Sequence, residues 1–346
     1  MRSPAALQPK PKLSGRAVLL LLLGALGVIF VFSLCIGRYA VSPAEVVRIL
    51  FYSATGRSHL LDPTQVSVVL SVRLPRILLG IVIGMGLSAA GAAYQGIFGN
   101  PLVSPHVLGV ASGAGFGASL GILFSGSVML IQGMSLAFGL LAVITVMLLS
   151  RIGNKTQLFV LVLSGVIVTA LFDALVSLIK YTADPQDKLP AIVIWLMGSL
   201  ASASYRDLMT GAVTILVCLG VLLALRWKMN LLSLDEEEAQ ALGVNVAQVR
   251  GIVIVASTLI TASAVSVCGI IGWIGLVIPH MGRIMVGNDH RILLPVSTVL
   301  GGIYLVLIDN LARTATTGEI PLSILTAIIG APFFAYMLRK KGAESV

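Results

Sequence analysis

Four consecutive acids, Asp235 to Glu238, form the most polar segment in the C-terminal half of the sequence and lie between two strongly apolar runs. Ser233 and Glu236 have the S-x-x-E spacing of a capping box, so we expect a short helix to begin there. Gly243 is suited to end that helix, because glycine tolerates the left-handed backbone of a helix C-terminus. Carboxylates on such an exposed helix could contact basic groups of a partner protein.

Few ionisable side chains lie within the apolar runs, and the candidates among them are Asp173, His280, Arg283 and Asp309, with Arg313 at one end. A charge inside a membrane span is costly, so each of these residues is a functional hypothesis by default. Asp309 and Arg313 are four residues apart, neighbours on one helix face, which predicts an ion pair between them. We favour structural pairing for this set and keep an ion or proton relay as the alternative.

Motifs for covalent chemistry are missing from the sequence. It has no H-E-x-x-H and no Ser/His/Asp order, which argues against a membrane-embedded enzyme. It also has no G-x-x-x-x-G-K-[S/T] phosphate loop, so any ATP hydrolysis must occur on another chain. The cysteines Cys35, Cys218 and Cys268 have no C-x-x-C partner and are expected to be small buried hydrophobes, so no metal site is predicted.

The composition indicates that the candidate residues lie in or between membrane spans. Of 346 residues, 57% are hydrophobic and 11% are charged, whereas a soluble domain has roughly 25% charged residues. We therefore predict an all-α polytopic membrane protein, and the lack of basic runs interleaved with aromatics argues against nucleic-acid binding. About ten apolar stretches are long enough to be spans, at residues 16–37, 74–96, 107–124, 128–150, 158–180, 205–227, 247–268, 272–286, 292–313 and 322–338. Residues 184–203 predict a further short helix that lies at the membrane surface or is partly buried.

An even number of spans places both termini on one side of the membrane. Lys and Arg are more numerous in the segments on that side, which predicts that it is the cytoplasm. Residues 1–15 are then a cytoplasmic tail, residues 16–341 form a single transmembrane domain, and the acidic helix within 230–246 is cytoplasmic. The first run is expected to be an uncleaved span rather than a secretory signal, because Leu34 is a poor cleavage position.

Several short motifs resemble those of the FecCD-type permeases of ABC importers, and they occur in family order along nearly the whole chain. The matching segments are Arg73-Leu-Pro-Arg76, Gln95-Gly-x-x-x-Asn-Pro-Leu102, Leu108-Gly-Val-Ala-Ser-Gly-Ala114, Trp195-Leu-Met-Gly-Ser199, Leu242-Gly-Val-Asn245, Ile274-Gly-Leu-Val-Ile-Pro-His280, Asp289-His-Arg291, Glu319-Ile-Pro-Leu-x-Ile324 and Ile329-Gly-Ala-Pro-Phe333. Together they are specific, although each one is weak by itself.

The resemblance implies a type II ABC importer fold with ten transmembrane helices per subunit in the cell inner membrane. It implies a second permease subunit, more often an identical copy than a paralogue, two cytoplasmic ATPase subunits and a periplasmic or surface-tethered binding protein. ATP and Mg would then be bound by the ATPase, with no cofactor in this chain. The expected cargo is an iron(III)–siderophore or similar metal chelate, moved by alternating access, with haem, cobalamin or molybdate as alternatives. A secondary carrier driven by an ion gradient is the competing class.

The resemblance also assigns residues to three contact regions. Arg73, Arg76 and Arg313 match arginines that face the binding protein's glutamates at the external rim. The predicted ATPase-coupling residues are Leu234, Asp235, Glu236, Glu237, Ala239, Leu242 and Gly243. Asp235 replaces a glycine that is common in the family, which leaves open which acid makes the contact. The loop before the fifth span matches the cytoplasmic gate, with candidates Thr156, Gln157, Leu158 and Phe159.

Overall fold

The computed structural model describes residues 14–57, 61–152, 155–156, 158–232 and 236–344. The described residues form helices with one short hairpin, in the order α1 Gly15–Cys35, α2 Pro43–Ala54, α3 Pro63–Val66, α4 Leu74–Phe98, α5 Val110–Phe124, α6 Val128–Leu149, β1 Arg151–Ile152, β2 Lys155–Thr156, α7 Leu158–Thr182, α8 Lys188–Leu196, α9 Tyr205–Asp207, α10 Val213–Leu231, α11 Glu236–Ala241, α12 Val246–Cys268, α13 Ile274–Val286, α14 His290–Thr314 and α15 Leu322–Glu344. The predicted surface helix within 184–203 is α8.

Ten of these helical segments are apolar enough to belong to the membrane. Among the described residues, seven are long enough to cross it and three are shorter, namely Val110–Phe124, Ile274–Val286 and Leu322–Tyr336. The predicted all-α membrane fold with about ten spans is therefore confirmed. The span at α4 begins earlier than the sequence indicated, because a π-helical turn at Ser67–Arg73 joins α3 to α4. A second π-helical turn, at Leu208–Ala212, joins α9 to α10 within the predicted span 205–227.

Helix starts follow from side-chain caps that the sequence encodes. Ser42 and Glu45 form a complete capping box at α2, and Ser127 accepts the Leu130 backbone N–H at α6. Each cap satisfies a backbone donor that has no partner within its helix. Such caps fix the first residue of a helix, whereas apolar runs alone locate only its middle.

The centre of the bundle is made by α4, α12 and α14, whose inner faces are almost completely buried. Helices α4 and α14 touch backbone to backbone: a β-carbon on Gly84 would lie 2.3 Å from the Gly301 carbonyl oxygen, and one on Gly301 would lie 2.3 Å from that of Gly84. Small residues permit this close approach between helices in lipid. The close approach of α4 and α14 therefore depends on glycine at both positions.

The bundle has two polar ends. The arginine end is where α1 and α14 finish and α4 starts, and it holds Arg73, Arg76 and Arg313. The acidic end is where α10 finishes and α14 starts, beside α11. Helix α1 begins next to Ile292 at the acidic end, and α15 begins at the arginine end, where the Leu322 N–H donates to the Gly198 carbonyl. Both described ends of the chain therefore lie at the acidic end.

Candidate functional sites at the two ends of the bundle

The three arginines predicted to face a binding protein lie together at the arginine end, but their side chains are not exposed. Arg73, Arg76 and Arg313 have relative exposures of 4%, 5% and 6%. A buried guanidinium requires compensating acceptors, since leaving the charge unpaired away from water is costly. The structure supplies those acceptors from within the chain.

Arg76 is the centre of a buried ion network. Its Nε and Nη2 atoms donate to both carboxylate oxygens of Asp309 at 2.8–3.0 Å, while Nη1 and Nη2 donate to Glu319 at 2.9 and 2.8 Å. This two-fold bidentate geometry uses the planar fork that only arginine provides. The network joins α4 to α14 and to the connection before α15. The Arg76 hydrogen bond also lowers the pKa of the Glu319 carboxyl below its ordinary value.

The predicted partner of Asp309 was wrong. Asp309 pairs with Arg76 across the bundle instead of with Arg313 one turn away. Arg313 donates to the Ser33 carbonyl at 2.5 Å and to Asn310 Oδ1 at 2.6 Å. Helical spacing identified a possible neighbour, but packing of α4 on α14 brought a better donor to the same carboxylate. The broader expectation of structural pairing for Asp309 holds.

Arg73 ties the end of α1 to the start of α4. It donates to the Leu34 and Cys35 carbonyls at 2.6 and 3.1 Å and also to the Tyr39 carbonyl. These carbonyls have no helical donor because α1 ends at Cys35. The guanidinium thus acts as a cap for a neighbouring helix, a role that the sequence motif did not reveal.

A cavity of about 210 Å³ opens between these groups at the arginine end. Its charged lining comprises four arginines and one carboxylate, from Arg38, Arg73, Arg76, Arg313 and Glu319. Asp309, which pairs with Arg76, adds a second carboxylate, but the four arginines still outnumber the two acids. The cavity is therefore suited to receive an anionic group. Arg38 is the exposed arginine of its lining, and sequence analysis did not single it out.

At the acidic end, α11 forms the short helix that the capping signals predicted. The Gly243 N–H donates to the Gln240 carbonyl at 2.9 Å, and the Val244 N–H donates to the Ala239 carbonyl at 3.0 Å. With φ of +77° at Gly243, this is a Schellman motif, so the prediction that Gly243 ends the helix is confirmed. Ser233, Leu234 and Asp235 lie outside the described residues.

The exposed and buried sides of α11 are clearly divided. Glu237 and Glu238 are exposed and Leu242 has a relative exposure of 57%, whereas Ala239 and Val244 are buried at 0% and 3%. The buried pair anchors α11 on the bundle, which leaves the two acids facing outward. Glu238 was not among the predicted coupling residues, although it lies in the same acidic run. Glu236, another of the predicted coupling residues, is the first residue of the α11 backbone.

Asn230 connects the segment that leads into α11 with the start of α14. Its amide nitrogen donates to Asp289 Oδ1 at 2.6 Å, and its oxygen accepts the His290 backbone N–H at 2.8 Å. One turn earlier, the Trp227 ring lies 5.9 Å from the Arg291 guanidinium carbon. These contacts hold the end of α10, which precedes α11, against the start of α14.

The predicted gate region contains a small hairpin, which the sequence did not indicate. Arg151 pairs with Thr156 and Ile152 with Lys155 in an antiparallel ladder. Leu158 is the first residue of α7, and Phe159 has a relative exposure of 77%. Gln157 lies outside the described residues. The gate assignment of these positions stays a prediction.

Comparison with known proteins bears directly on this architecture. Residues 25–340 match the FecCD transport family. The chain belongs to the FecCD transport family. It is 45% identical to the molybdate import system permease protein MolB of Haemophilus influenzae over 95% of this chain and 96% of that one. It is also 40% identical to a probable iron chelatin transport system permease protein of Helicobacter pylori, covering 82% and 86% of the two chains.

A solved structure supports the same conclusion. An inward-facing putative metal-chelate type ABC transporter superposes with a TM-score of 0.85 at 43% identity, over 94% of this chain and 99% of the other. The chain is therefore a multi-pass permease subunit of an ABC importer, as its motifs predicted. FecCD permeases act with an ATPase and a substrate-binding partner, so the two polar ends of this bundle are candidate contact surfaces for them.

Proposed function

We propose that this FecCD permease acts as a pair of identical copies that moves cargo by alternating access, driven by two separate ATPase subunits docked at α11. The observation that carries the proposal is the division of α11 into a buried anchor and two exposed acids. An anchored helix transmits force to the bundle, and exposed carboxylates can meet basic groups in a groove of the partner. In this arrangement the chain binds neither ATP nor Mg itself, and the acidic end with both termini is cytoplasmic.

The double variant Glu237→Lys/Glu238→Lys tests ATPase docking. We expect co-purification of the ATPase to fall at least tenfold, because each substitution replaces attraction with repulsion. A matched control, Asp184→Lys/Asp187→Lys, makes the same change of charge at exposed positions at the other end and should leave co-purification intact. Normal association of the Glu237/Glu238 variant would contradict the docking assignment.

The homodimer is tested separately. Expression of this single permease gene with the ATPase gene should yield a complex whose native mass contains two copies of the permease. A complex with one copy, or one that assembles only when a paralogous permease is added, would show that the pair is not identical.

We further propose that the binding protein docks at the arginine end by placing a carboxylate in the positive cavity. Arg73, Arg76 and Arg313 are buried among internal acceptors. Arg38 also donates to the Thr316 and Thr317 carbonyls, but its side chain is exposed, so it is the informative site for mutation. Arg38→Glu should weaken binding-protein affinity about tenfold at moderate salt. Arg206→Glu, which changes an exposed arginine at the same end but outside the cavity lining, should not. Equal effects of the two variants would refute a cavity-directed contact.

The gate proposal for residues 156–159 is supported by the exposed position of Phe159 at the start of α7. If this side chain closes the passage, Phe159→Ala should increase ATP-independent leakage of cargo from proteoliposomes. The matched change at another exposed aromatic residue, Tyr181→Ala at the far end of α7, should leave leakage unchanged. Leakage that does not rise in the Phe159 variant would remove the gate assignment.

The proposed cargo is a transition metal held in an organic chelate, with an iron(III) chelate as the first candidate. This choice rests on relatives whose names include iron chelatin, Fe(3+)-citrate, cobalamin and hemin permeases. Molybdate is the second candidate, because the relative with 45% identity over almost the full length carries that name. Uptake of radioactive iron chelate and radioactive molybdate by the reconstituted importer distinguishes them. Transport of molybdate alone would overturn the first candidate.

A further inference from the structure

Arg16 and Trp227 lie at the acidic end of the bundle, each at the end of an exposed apolar stripe along a span. Helical rotation places Arg16 within about 40° of Leu20 and Leu23 on α1, and these leucines are 69% and 46% exposed. On α10 it places Trp227 within about 80° of Val217, and both of these side chains are exposed. Exposed apolar stripes along a span face lipid, and tryptophan is common where a span meets the headgroup layer.

Helix α14 brings a second arginine between these two residues. A β-carbon on Gly15 would overlap the side chain of Ile292, so the first turn of α1 packs on the first turn of α14. Arg16 and Arg291 each follow or precede a residue of this contact and are therefore close together. The Arg291 guanidinium carbon lies 5.9 Å from the centre of the Trp227 ring, within the range of a cation–π contact. Arg16, Trp227 and Arg291 form one surface patch, the arginine–tryptophan patch.

The arginine–tryptophan patch carries positive charge that the chain does not neutralise. Arg16 and Arg291 are exposed, and no ion pair among the described residues includes either of them. Lys228 is also exposed on the last turns of α10. The acid beside Arg291 is Asp289, whose Oδ1 already accepts from the Asn230 amide at 2.6 Å and from the Arg291 backbone N–H at 2.9 Å. Three cations thus surround one hydrogen-bonded carboxylate, which suits the patch to an anionic ligand.

The position of the patch selects among anions. Guanidinium groups match the geometry of phosphate oxygens, and basic residues between spans bind acidic lipid headgroups. A phospholipid can also cover the apolar stripes of α1 and α10, which a soluble anion cannot. We propose that the arginine–tryptophan patch binds the phosphate headgroup of an anionic phospholipid, whose acyl chains lie along these two stripes. The bound lipid would hold α10 against α14 at the segment that leads into α11.

Lipid binding is measured by titrating the permease–ATPase complex in detergent micelles with phosphatidylglycerol and counting bound lipid by native mass spectrometry. Arg16→Gln/Arg291→Gln should weaken binding about 25-fold, since each arginine near an anionic headgroup contributes roughly fivefold. Arg151→Gln, at an exposed arginine outside the patch, is the control and should leave the affinity unchanged. Equal affinity of the double variant and wild type would overturn the proposal, as would equal binding of phosphatidylglycerol and zwitterionic phosphatidylcholine.

A conservative variant separates loss of charge from loss of fold. Arg16→Lys/Arg291→Lys keeps both charges and should bind phosphatidylglycerol more tightly than the glutamine variant does. Thermal unfolding of both double variants in lipid-free detergent should match wild type, because both positions are exposed. If the lysine variant binds as weakly as the glutamine variant while both unfold like wild type, the electrostatic contact is refuted.

Two further measurements distinguish phospholipid from other ligands of the patch. Inorganic phosphate at millimolar concentration should not displace phosphatidylglycerol, because it makes no contact with the apolar stripes. Complete displacement would assign the patch to a free anion and refute the lipid. The glutamine double variant should also co-purify with the ATPase as wild type does. Loss of the ATPase with unaltered lipid affinity would assign the patch to the ATPase instead.

Discussion

Replacing Arg76 tests whether the buried ion network holds the arginine end together. In Arg76→Gln, Asp309 keeps its carboxylate at 2% exposure with its ion-pair partner removed. Glu319 also loses its pair, but its side chain is 28% exposed and can be solvated. Loss of the ion pair should therefore cost more free energy of unfolding at Asp309 than at Glu319. The Asp309 charge is the main source of the expected instability.

The expected magnitude follows from that difference in burial. Removing one partner of a buried ion pair costs about 3–5 kcal/mol, because the remaining charge is uncompensated. The double variant Arg76→Gln/Asp309→Asn removes both charges and loses mainly hydrogen bonds, at about 1–2 kcal/mol. The double variant should therefore be more stable than the single variant by about 2 kcal/mol. Glu319→Gln should cost about 1 kcal/mol or less, since Glu319 is partly exposed to water and Arg76 keeps its pair with Asp309.

Equilibrium unfolding of the purified permease in mixed micelles measures these free energies. Arg206→Gln serves as the control, because Arg206 is exposed at the same end and should change stability by less than about 0.5 kcal/mol. The argument fails if Arg76→Gln is as stable as this control. It also fails if adding Asp309→Asn lowers stability further, since that would mean the orphaned carboxylate is not the cause.

Three further predictions concern packing, backbone conformation and pH. Gly301→Ala should destabilise the permease by about 2 kcal/mol or more, because the added β-carbon would lie 2.3 Å from the Gly84 carbonyl oxygen. Gly220→Ala is the control and should not destabilise the permease, because the space around Gly220 is open. Thermal unfolding of the two variants checks this prediction. Gly243→Ala should destabilise α11 by about 1–2 kcal/mol, because a residue with a β-carbon is strained at the φ of +77° found there. Hydrogen exchange of the α11 amides measures this loss, and Gly243→Asn should lose less protection than Gly243→Ala. The pKa of Glu319 is lowered from 4.5 in the folded chain, so its ionised carboxylate stabilises the fold at neutral pH. This contribution is lost as the pH falls through the lowered pKa. In acid unfolding, Glu319→Gln should therefore lose less stability below pH 4.5 than the wild-type chain does.

Local signals in the sequence predicted much of the architecture correctly. Apolar runs located the ten membrane helices, and Gly243 marked the end of α11 through a conformation that glycine adopts readily. These features depend on residues close together in the chain, where spacing is a direct measure of distance. Boundaries were less accurate where a π-helical turn joined α3 to α4 ahead of the predicted start at residue 74.

Contacts between distant segments were not predictable in the same way. Asp309 has Arg313 four residues away, yet it pairs with Arg76, which is 233 positions distant. The two arginines are chemically equivalent in the sequence, and only the packing of α4 on α14 at Gly84 and Gly301 decides which one reaches the carboxylate. The same packing buries the arginines that the motif placed at an exposed rim.

The sequence by itself determined that this chain is a membrane permease with an acidic helix between two spans, because hydropathy and capping act over a few residues. The tertiary structure decided which charges are used internally and which remain available. It paired Arg76 with Asp309 and anchored α11 through Ala239, while Asp173 stayed exposed. The physical reason is that the cost of a charge depends on its surroundings, and those surroundings are assembled from helices far apart in the chain.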